Sequence, residues 1–144
     1  MRLSVFTPKK SDQLLIDLRK IYQNYLPEKQ LTDKCLSTLI EQSDSQLYVT
    51  MFNGRHLGAV QITIKNTTAA LSLLTIRDLT RRRGVATNLL REVEKQLQID
   101  GIDNITMDYS KISQGEKEGL ILFMQANNYH INRSTKTLQK LLSR

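Results

Sequence analysis

The stretch Leu73–Leu97, LLTIRDLTRRRGVATNLLREVEKQL, determines how the middle of the chain folds. It opens with apolar and β-branched residues typical of a strand, and it then passes through a polar segment with three consecutive arginines. After Gly84 the apolar residues return at helical spacing, at Val85, Leu89, Val93 and Leu97. The stretch therefore predicts a strand, a short basic loop and an amphipathic helix.

The junction Arg81–Ala86 has the properties of an anion site. Backbone N–H groups at the start of a helix lack intrahelical acceptors, and the helix dipole places partial positive charge there. Gly84 lets an anion approach the backbone closely, and Ala86 places only a small side chain at the next exposed position. Arg81–Arg83 add charge, and Thr87 adds a hydroxyl. Together these features predict a phosphate cradle.

Three other interpretations of this junction agree less well with its residues. Three arginines alone are typical of a solvated basic patch that leads into an ordinary helix. No Lys-Ser or Lys-Thr pair follows Gly84, so a P-loop is disfavoured, and the dinucleotide fingerprint G-x-G-x-x-G is absent. A phosphate cradle is still the favoured interpretation, because Gly84, the small residue Ala86 and an amphipathic helix occur together.

The residues before this junction predict a strand, two helices, a hairpin and a further strand. The Asn53-Gly54 turn is the strongest signal, because both residues tolerate positive φ. The expected bounds are a strand over Arg2–Phe6, a helix capped by Ser11 and closed by Pro27, a helix after Thr32, hairpin strands Gln46–Phe52 and Arg55–Ile64, and a strand from Ala69 to Thr80.

The residues after the junction predict a helix, a strand, a second helix and two short strands. The expected bounds are a helix from Val85 to near Gly101, a strand over Asn104–Tyr109, a polar loop without clear structure over Ser110–Glu118, a helix over Leu120–Ala126 ended by Asn127-Asn128, and two strands within Tyr129–Leu142. A helix is an equally good prediction for the final residues. This order predicts an α+β domain with a predominantly antiparallel sheet.

Composition is that of one globular domain. The 144 residues are 40% hydrophobic and 24% charged, with a net charge of +7 that makes an anionic partner worth considering. No apolar run suits a membrane span or a signal peptide. The single cysteine, Cys35, is compatible with a reducing cytoplasm, and we expect it in the core. The chain is therefore predicted to be cytoplasmic, without a membrane partner.

Arg81-x-x-Gly84-x-Ala86 resembles the Arg/Gln-x-x-Gly-x-Gly/Ala pattern of the GNAT superfamily of N-acetyltransferases. The resemblance implies a single GNAT domain over residues 1–144, with a mixed, mostly antiparallel sheet flanked by helices. It implies acetyl-coenzyme A (or coenzyme A) as the cofactor, bound where the central strand splays from its neighbour. The pantetheine contacts would be Leu74, Thr75 and Ile76, and the residues around the pyrophosphate would be Thr80, Arg81, Arg82, Arg83, Gly84, Val85, Ala86 and Thr87.

The GNAT resemblance supplies no catalytic residue. Many GNAT enzymes place a tyrosine acid where this chain has Met124, and a thioether donates no proton. Tyr129 falls on the family's structural aromatic, so we expect it in the core. No acid/base pair and no metal site stand out; His56 and His130 are expected at the surface. Little or no turnover is therefore expected.

Longer strings are similar to one GNAT subgroup, the PanZ or PanM maturation factors for aspartate α-decarboxylase of the pantothenate pathway. They are Ser11-Asp12-Gln13, Phe52-Asn53, Ile76–Val85 and Phe123–Ala126. The resemblance implies that the chain binds acetyl-coenzyme A and then the decarboxylase zymogen, and promotes zymogen self-cleavage. Asn53 is the candidate partner contact, although turn geometry alone explains it; Met51 replaces a subgroup arginine nearby.

Two other functions stay open at this level. An active N-acetyltransferase, transferring acetyl to a small amine or a protein amino group, would use the same cofactor loop. A nucleic-acid-binding module would suit the +7 charge, but aromatic residues for base stacking make up only 6% of the chain. No nucleic-acid partner is therefore expected, and the basic tail Ser134–Arg144 has no assigned role.

Overall fold

The computed structural model describes residues 3–77 and 84–142, where the chain forms a seven-stranded sheet and four α-helices. The strands are β1 (Ser4–Phe6), β2 (Ser45–Phe52), β3 (Arg55–Lys65), β4 (Thr68–Ile76), β5 (Asn104–Asp108), β6 (His130–Asn132) and β7 (Thr137–Leu141). The helices are α1 (Asp12–Tyr22), α2 (Asp33–Glu41), α3 (Val85–Ile99) and α4 (Gln114–Ala126). The predicted α+β class is confirmed.

The sheet has the order β1-β2-β3-β4-β5-β7-β6. Its neighbouring strands run antiparallel except for β4 and β5, which are parallel and are connected through α3. The predominantly antiparallel sheet is thus confirmed. A parallel pair needs a crossover connection, which α3 provides. Because β4 is the fourth of the seven strands in this order, the end of β4 and the start of α3 lie near the centre of the sheet.

The hairpin between β2 and β3 has the predicted two-residue turn. Asn53 has φ 51° and Gly54 has φ 76°, and Phe52 pairs with Arg55 across the turn. Positive φ at both positions matches the right-handed twist of the two strands.

Side-chain caps start the first two helices. The Ser11 hydroxyl accepts a 3.1 Å hydrogen bond from the Leu14 N–H, as expected for its predicted role, and the Thr32 hydroxyl accepts one of 3.3 Å from the Cys35 N–H. Cys35 itself is exposed, so its prediction as a core residue was wrong. Its thiol contacts the Lys29 carbonyl in the turn before α2 rather than the apolar face of the helix.

Apolar residues on the two faces of the sheet form two clusters. On β2, Tyr48 belongs to the larger cluster, which joins the sheet to α3 and α4. Leu47 and Val49 belong to the smaller one beneath α1 and α2. Since successive side chains of a strand point to opposite faces, the sheet is covered on both sides.

The predicted structural role of Tyr129 is confirmed, because the side chain is buried in the larger cluster. Its hydroxyl donates a 2.7 Å hydrogen bond to Glu94 on α3, and Lys140 on β7 lies 2.9 Å from the other oxygen of that carboxylate. Burial, and then the charge of Glu94, raises the pKa of the Tyr129 phenol. Tyr129 thus fixes the chain after α4 against α3.

The prediction of a polar loop over Ser110–Glu118 was wrong in its second half. Helix α4 begins at Gln114, six residues before the predicted start at Leu120. Gly115 and Gly119 weakened the sequence signal for the first turns of this helix, because glycine is unfavourable in helix interiors. Ser113 and Glu116 match the S-x-x-E signature of a helix start, which is the signal that could have located it.

Candidate functional site

The parallel strands β4 and β5 separate near the middle of the sheet. Their pairing runs from Thr68–Asn104 to Leu71–Met107, whereas β4 continues to Ile76 in register with β3 alone. The last residues of β4, including Leu74, Thr75 and Ile76, therefore have a backbone edge that β5 does not cover. Backbone N–H and C=O groups on such an edge can pair with an extended ligand.

A bulge in β4 lies just before this segment. Ala59 pairs with Thr75 and Gln61 with Ser72, so two steps along β3 oppose three along β4. Leu73 has φ 54°, a left-handed conformation that is uncommon for leucine. The Tyr22 hydroxyl at the end of α1 donates a 2.8 Å hydrogen bond to the Leu73 carbonyl. Helix α1 thus supports the strained residue next to the uncovered edge.

The start of α3 supplies the other half of the site. Gly84 is its N-cap, with φ 74° and no side chain to occupy the helix end. The N–H groups of Val85, Ala86 and Thr87 precede the first intrahelical bond, which runs from the Asn88 N–H to the Gly84 carbonyl at 3.0 Å. Residues Thr80, Arg81, Arg82 and Arg83 lie outside the described ranges.

One cavity of about 620 Å³ joins the end of β4 to the start of α3. It has an apolar wall with a few polar groups, the usual character of a site for an organic ligand. The predicted residues on its wall are Leu74, Thr75, Ile76, Gly84, Val85, Ala86 and Thr87. The residues that sequence reasoning did not place there are Tyr25, Ile112, Gly115, Glu116, Gly119, Leu120 and Phe123.

The unpredicted part of the wall comes mainly from α4. Gly115, Gly119 and Phe123 recur every four residues, so they share one helical face, and that face lines the cavity. A Cβ placed at either glycine would meet no atom within 4 Å. The two glycines therefore leave open space beside the helix.

Met124 lies in the core and not on the cavity wall. Its side chain is fully buried in the larger apolar cluster, while the preceding Phe123 lines the cavity. The carboxylate of Glu116 and the phenol of Tyr25 are the acid/base groups on the described wall. Burial, followed by the charge of Glu116, raises the pKa of Tyr25, so this phenol stays protonated at neutral pH.

A second polar cluster lies beneath the hairpin. The buried carboxylate of Asp17 accepts hydrogen bonds from the His56 N–H at 3.0 Å, Gln13 at 2.9 Å and the Arg55 Nε at 3.1 Å. Nδ1 of His56 lies 2.8 Å from the same carboxylate. The prediction of His56 as a surface residue was therefore wrong: its ring is buried because Asp17 gives it a partner. His130 is exposed, as predicted.

The carboxylate of Asp17 has a pKa below its ordinary value. Burial alone would raise this pKa, but the hydrogen bonds from the His56 N–H and ring, Gln13 and Arg55 together outweigh it. Asp17 therefore anchors α1 to the start of β3, next to the exposed turn residue Asn53.

Between residues 3–77 and 84–142, no group of three or more His, Cys, Asp or Glu side chains is arranged to hold a metal ion. In the same ranges, none of the helices has the length and apolar character needed to cross a membrane.

Comparison with known proteins agrees with this architecture. A family model described as the acetyltransferase (GNAT) domain of PanZ matches residues 3–137. The PanD regulatory factor of Escherichia coli is 40% identical over 94 residues, which cover 65% of this chain and 67% of that protein. The PanD regulatory factor of Salmonella typhimurium is 40% identical over 83 residues and is matched over 58% of its length, so the chain aligns with just over half of that relative.

A solved structure extends the likeness over nearly the whole chain. The solution structure of YhhK from E. coli, bound to coenzyme A, is 31% identical with a TM-score of 0.75, and it covers 99% of this chain and 100% of its own. Sheet order, splayed strands and family match thus agree, and the chain belongs to the PanZ family of GNAT acetyltransferase domains.

Proposed function

We propose that this protein binds acetyl-coenzyme A and then promotes the self-cleavage of the aspartate α-decarboxylase zymogen, PanD. The observation that carries the proposal is the cavity in which the uncovered edge of β4 meets the start of α3. Two relatives carry the name PanD regulatory factor, and YhhK was solved with coenzyme A bound. Cytoplasmic localisation is part of this proposal, and it is supported by the single cysteine, Cys35, which is compatible with a reducing compartment.

The cofactor would lie with its pyrophosphate at the start of α3. The N–H groups of Val85, Ala86 and Thr87 would donate to phosphate oxygens, and Arg81–Arg83 would add positive charge. The pantetheine amides would pair with the backbone of Leu74, Thr75 and Ile76 as an added strand does. We further propose that the bound coenzyme A carries an acetyl group on its thiol.

The partner would contact the hairpin turn. Asn53 is exposed at the turn, and the guanidinium of its neighbour Arg55 is held by Asp17 at 3.1 Å. Met51, which stands where the subgroup has an arginine, is half-buried on β2. Arg55 pairs with the next residue of β2, Phe52, and therefore supplies a cation close to that position. The regulator would act by binding the cleavage-ready conformation of the zymogen more tightly than the resting one.

The direct test mixes the protein with purified zymogen, with and without acetyl-coenzyme A, and follows cleavage by gel electrophoresis. We expect faster cleavage and a stable complex when the cofactor is present. Absence of both effects would reject the regulatory function.

Asn53→Gly separates partner contact from turn geometry. Glycine keeps the positive φ of the turn but removes the amide, so cleavage should slow while stability is kept. Asn66→Gly is the matched control, because Asn66 also has positive φ, at 58°, and lies past the opposite end of β3. Equal cleavage by both variants would show that Asn53 serves only the turn.

An active N-acetyltransferase is the second candidate function. The observation in its favour is that a carboxylate, Glu116, and a protonated phenol, Tyr25, line the cavity. Release of free thiol from acetyl-coenzyme A in the presence of primary amines tests it. Turnover no faster than background hydrolysis across the amine panel would reject it.

A further inference from the structure

The guanidinium of Arg55 is held along one edge and exposed along another. Its Nε and Nη2 atoms each lie 3.1 Å from Oδ1 of Asp17. The Asp17 side chain is fully buried, whereas 44% of the Arg55 side chain is exposed to solvent. Because the guanidinium is planar and rigid, an edge-on contact through Nε and Nη2 directs the Nη1 donors away from Asp17.

The surroundings of Asp17 leave these outer donors without an acceptor. Oδ1 also accepts a 2.9 Å hydrogen bond from Gln13, while Oδ2 lies 3.0 Å from the His56 N–H and 2.8 Å from its Nδ1. Both carboxylate oxygens are thus occupied on the inner side. In the part of the chain that the structure describes, Nη1 of Arg55 makes no hydrogen bond.

Arg55 is fixed before any partner arrives. Asp17 belongs to α1 and Arg55 is the first residue of β3, so the pair joins two regular elements rather than two mobile loops. An arginine that binds a partner ordinarily loses rotamer freedom, and this loss weakens the complex. Since Asp17 already restricts the Arg55 side chain, most of that entropy cost falls on folding instead of binding.

The exposed groups around Arg55 form one surface, which we call the Arg55 surface and define as Gln13, Asn53 and Arg55. Asn53 lies in the turn two residues before Arg55, and Gln13 on α1 contacts the same oxygen of Asp17 as Arg55 does. All three residues of this surface are exposed. None of them lines the cofactor cavity, so the surface can be altered without changing the cavity wall.

We propose that Arg55 binds an Asp or Glu carboxylate of the zymogen through its outer guanidinium edge, while Asp17 holds the inner edge. This inference rests on the proposed function, because that function supplies the partner. A guanidinium can bind two carboxylates on separate edges, and its donor fork fits carboxylate geometry. The partner contact would therefore extend from the Asn53 turn to Arg55 and onto α1.

Calorimetric titration of the zymogen into the protein loaded with acetyl-coenzyme A tests the proposal. Arg55→Gln keeps an amide donor for Asp17 but removes the charge and the outer edge. We expect this variant to bind the zymogen about tenfold more weakly, with acetyl-coenzyme A affinity within about twofold of the wild type.

Arg19→Gln is the matched control. Arg19 lies near the end of α1, with 47% of its side chain exposed, and it is held in a similar way. Its Nε donates a 3.1 Å hydrogen bond to the Leu31 carbonyl, and Nη2 pairs with Asp33. The control removes the same charge outside the Arg55 surface, so its zymogen affinity should stay within about twofold of the wild type.

A second variant separates binding from folding. Arg55→Lys keeps a positive charge beside the buried Asp17 carboxylate, and urea unfolding should show that it folds. An ammonium lacks the second edge of the fork, so this variant should still bind the zymogen at least about threefold more weakly.

The partner's carboxylate can be located by a double-mutant cycle. Each surface Asp or Glu of the zymogen is changed singly to Asn or Gln and titrated into the wild-type protein and into Arg55→Gln. One such change should weaken binding to the wild type about tenfold and add little to the loss in Arg55→Gln, because both changes remove the same contact.

The outcomes are separable. Wild-type zymogen affinity in folded Arg55→Gln and Arg55→Lys proteins overturns this inference and leaves the regulatory function intact. An equal loss in Arg19→Gln also overturns it, because it would show a general effect of net charge, and so does the absence of any zymogen carboxylate coupled to Arg55. Failure of the wild-type protein to bind the zymogen rejects the regulatory function and this inference together.

Discussion

The Tyr22 hydroxyl donates a 2.8 Å hydrogen bond to the carbonyl of Leu73, which joins the end of α1 to the bulge in β4. Tyr22 is fully buried, and burial raises the pKa of its phenol, so the group acts as a donor at any physiological pH. The bulge directly precedes the β4 segment on the cavity wall. A helix outside the strand–loop–helix motif thus supports the shape of the candidate cofactor site.

Replacing Tyr22 by Phe tests this support. The variant keeps the ring but leaves the Leu73 carbonyl without its donor, so the free energy of unfolding should fall by about 1–2 kcal/mol. Urea unfolding measures the loss, and Tyr25→Phe, on the same stretch of chain, is the control. A Tyr22→Phe protein as stable as the wild type would show that the bond contributes nothing.

Gly84→Ala should weaken cofactor binding through the backbone. Gly84 has φ 74°, and a Cβ there meets no atom within 4 Å, so alanine introduces conformational strain without a clash. Gly101→Ala is a matched control, because Gly101 has φ 88° with equally open space and does not line the cavity.

Both glycine variants should lose about 1 kcal/mol of stability, whereas Gly84→Ala alone should reduce acetyl-coenzyme A affinity. Calorimetry and urea unfolding measure the two quantities separately. Equal affinity of the two variants for acetyl-coenzyme A would show that Gly84 does not contribute to cofactor binding.

Asp17→Asn should strongly destabilise the protein near neutral pH. Asp17 is fully buried and accepts hydrogen bonds from two elements, so loss of its charge should cost about 3 kcal/mol. Asp12→Asn, an exposed change on the same helix, is the control and should cost much less.

The effect of Asp17 should also depend on pH. Its folded pKa lies below the ordinary value of 3.8, so its stabilising contribution is present above that value and is lost as the pH falls through the folded pKa. The stability difference between wild type and Asp17→Asn should therefore shrink in acid below about pH 4. A difference that stays constant from pH 7 to pH 3 would contradict this origin.

Asn128→Gly should stabilise the protein. Asn128 ends α4 with φ 72°, where glycine is less strained, and the gain should be about 0.5 kcal/mol. Thermal unfolding measures it, and Asn132→Gly, in β6, is the control and should be destabilising. A lower melting temperature for Asn128→Gly would mean that the asparagine side chain has a role of its own.

The sequence by itself determined the features that depend on neighbouring residues. The Asn53-Gly54 turn, the Ser11 cap and the strand–loop–helix order around Gly84 follow from local backbone preferences, and all three are present in the structure. The same local rules misplaced the start of α4, because two glycines outweighed the cap signal at Ser113.

Only the tertiary structure decided which distant residues meet. The burial of His56 depends on Asp17 of α1, and the approach of Tyr25 to Glu116 depends on packing around the gap between β4 and β5. Such contacts join residues far apart in the chain, and periodicity describes only which face a residue occupies. The residues that would hold the phosphates could thus be predicted from a local motif, whereas the face of α4 that lines the cavity could be recognised only once α4 was packed into place.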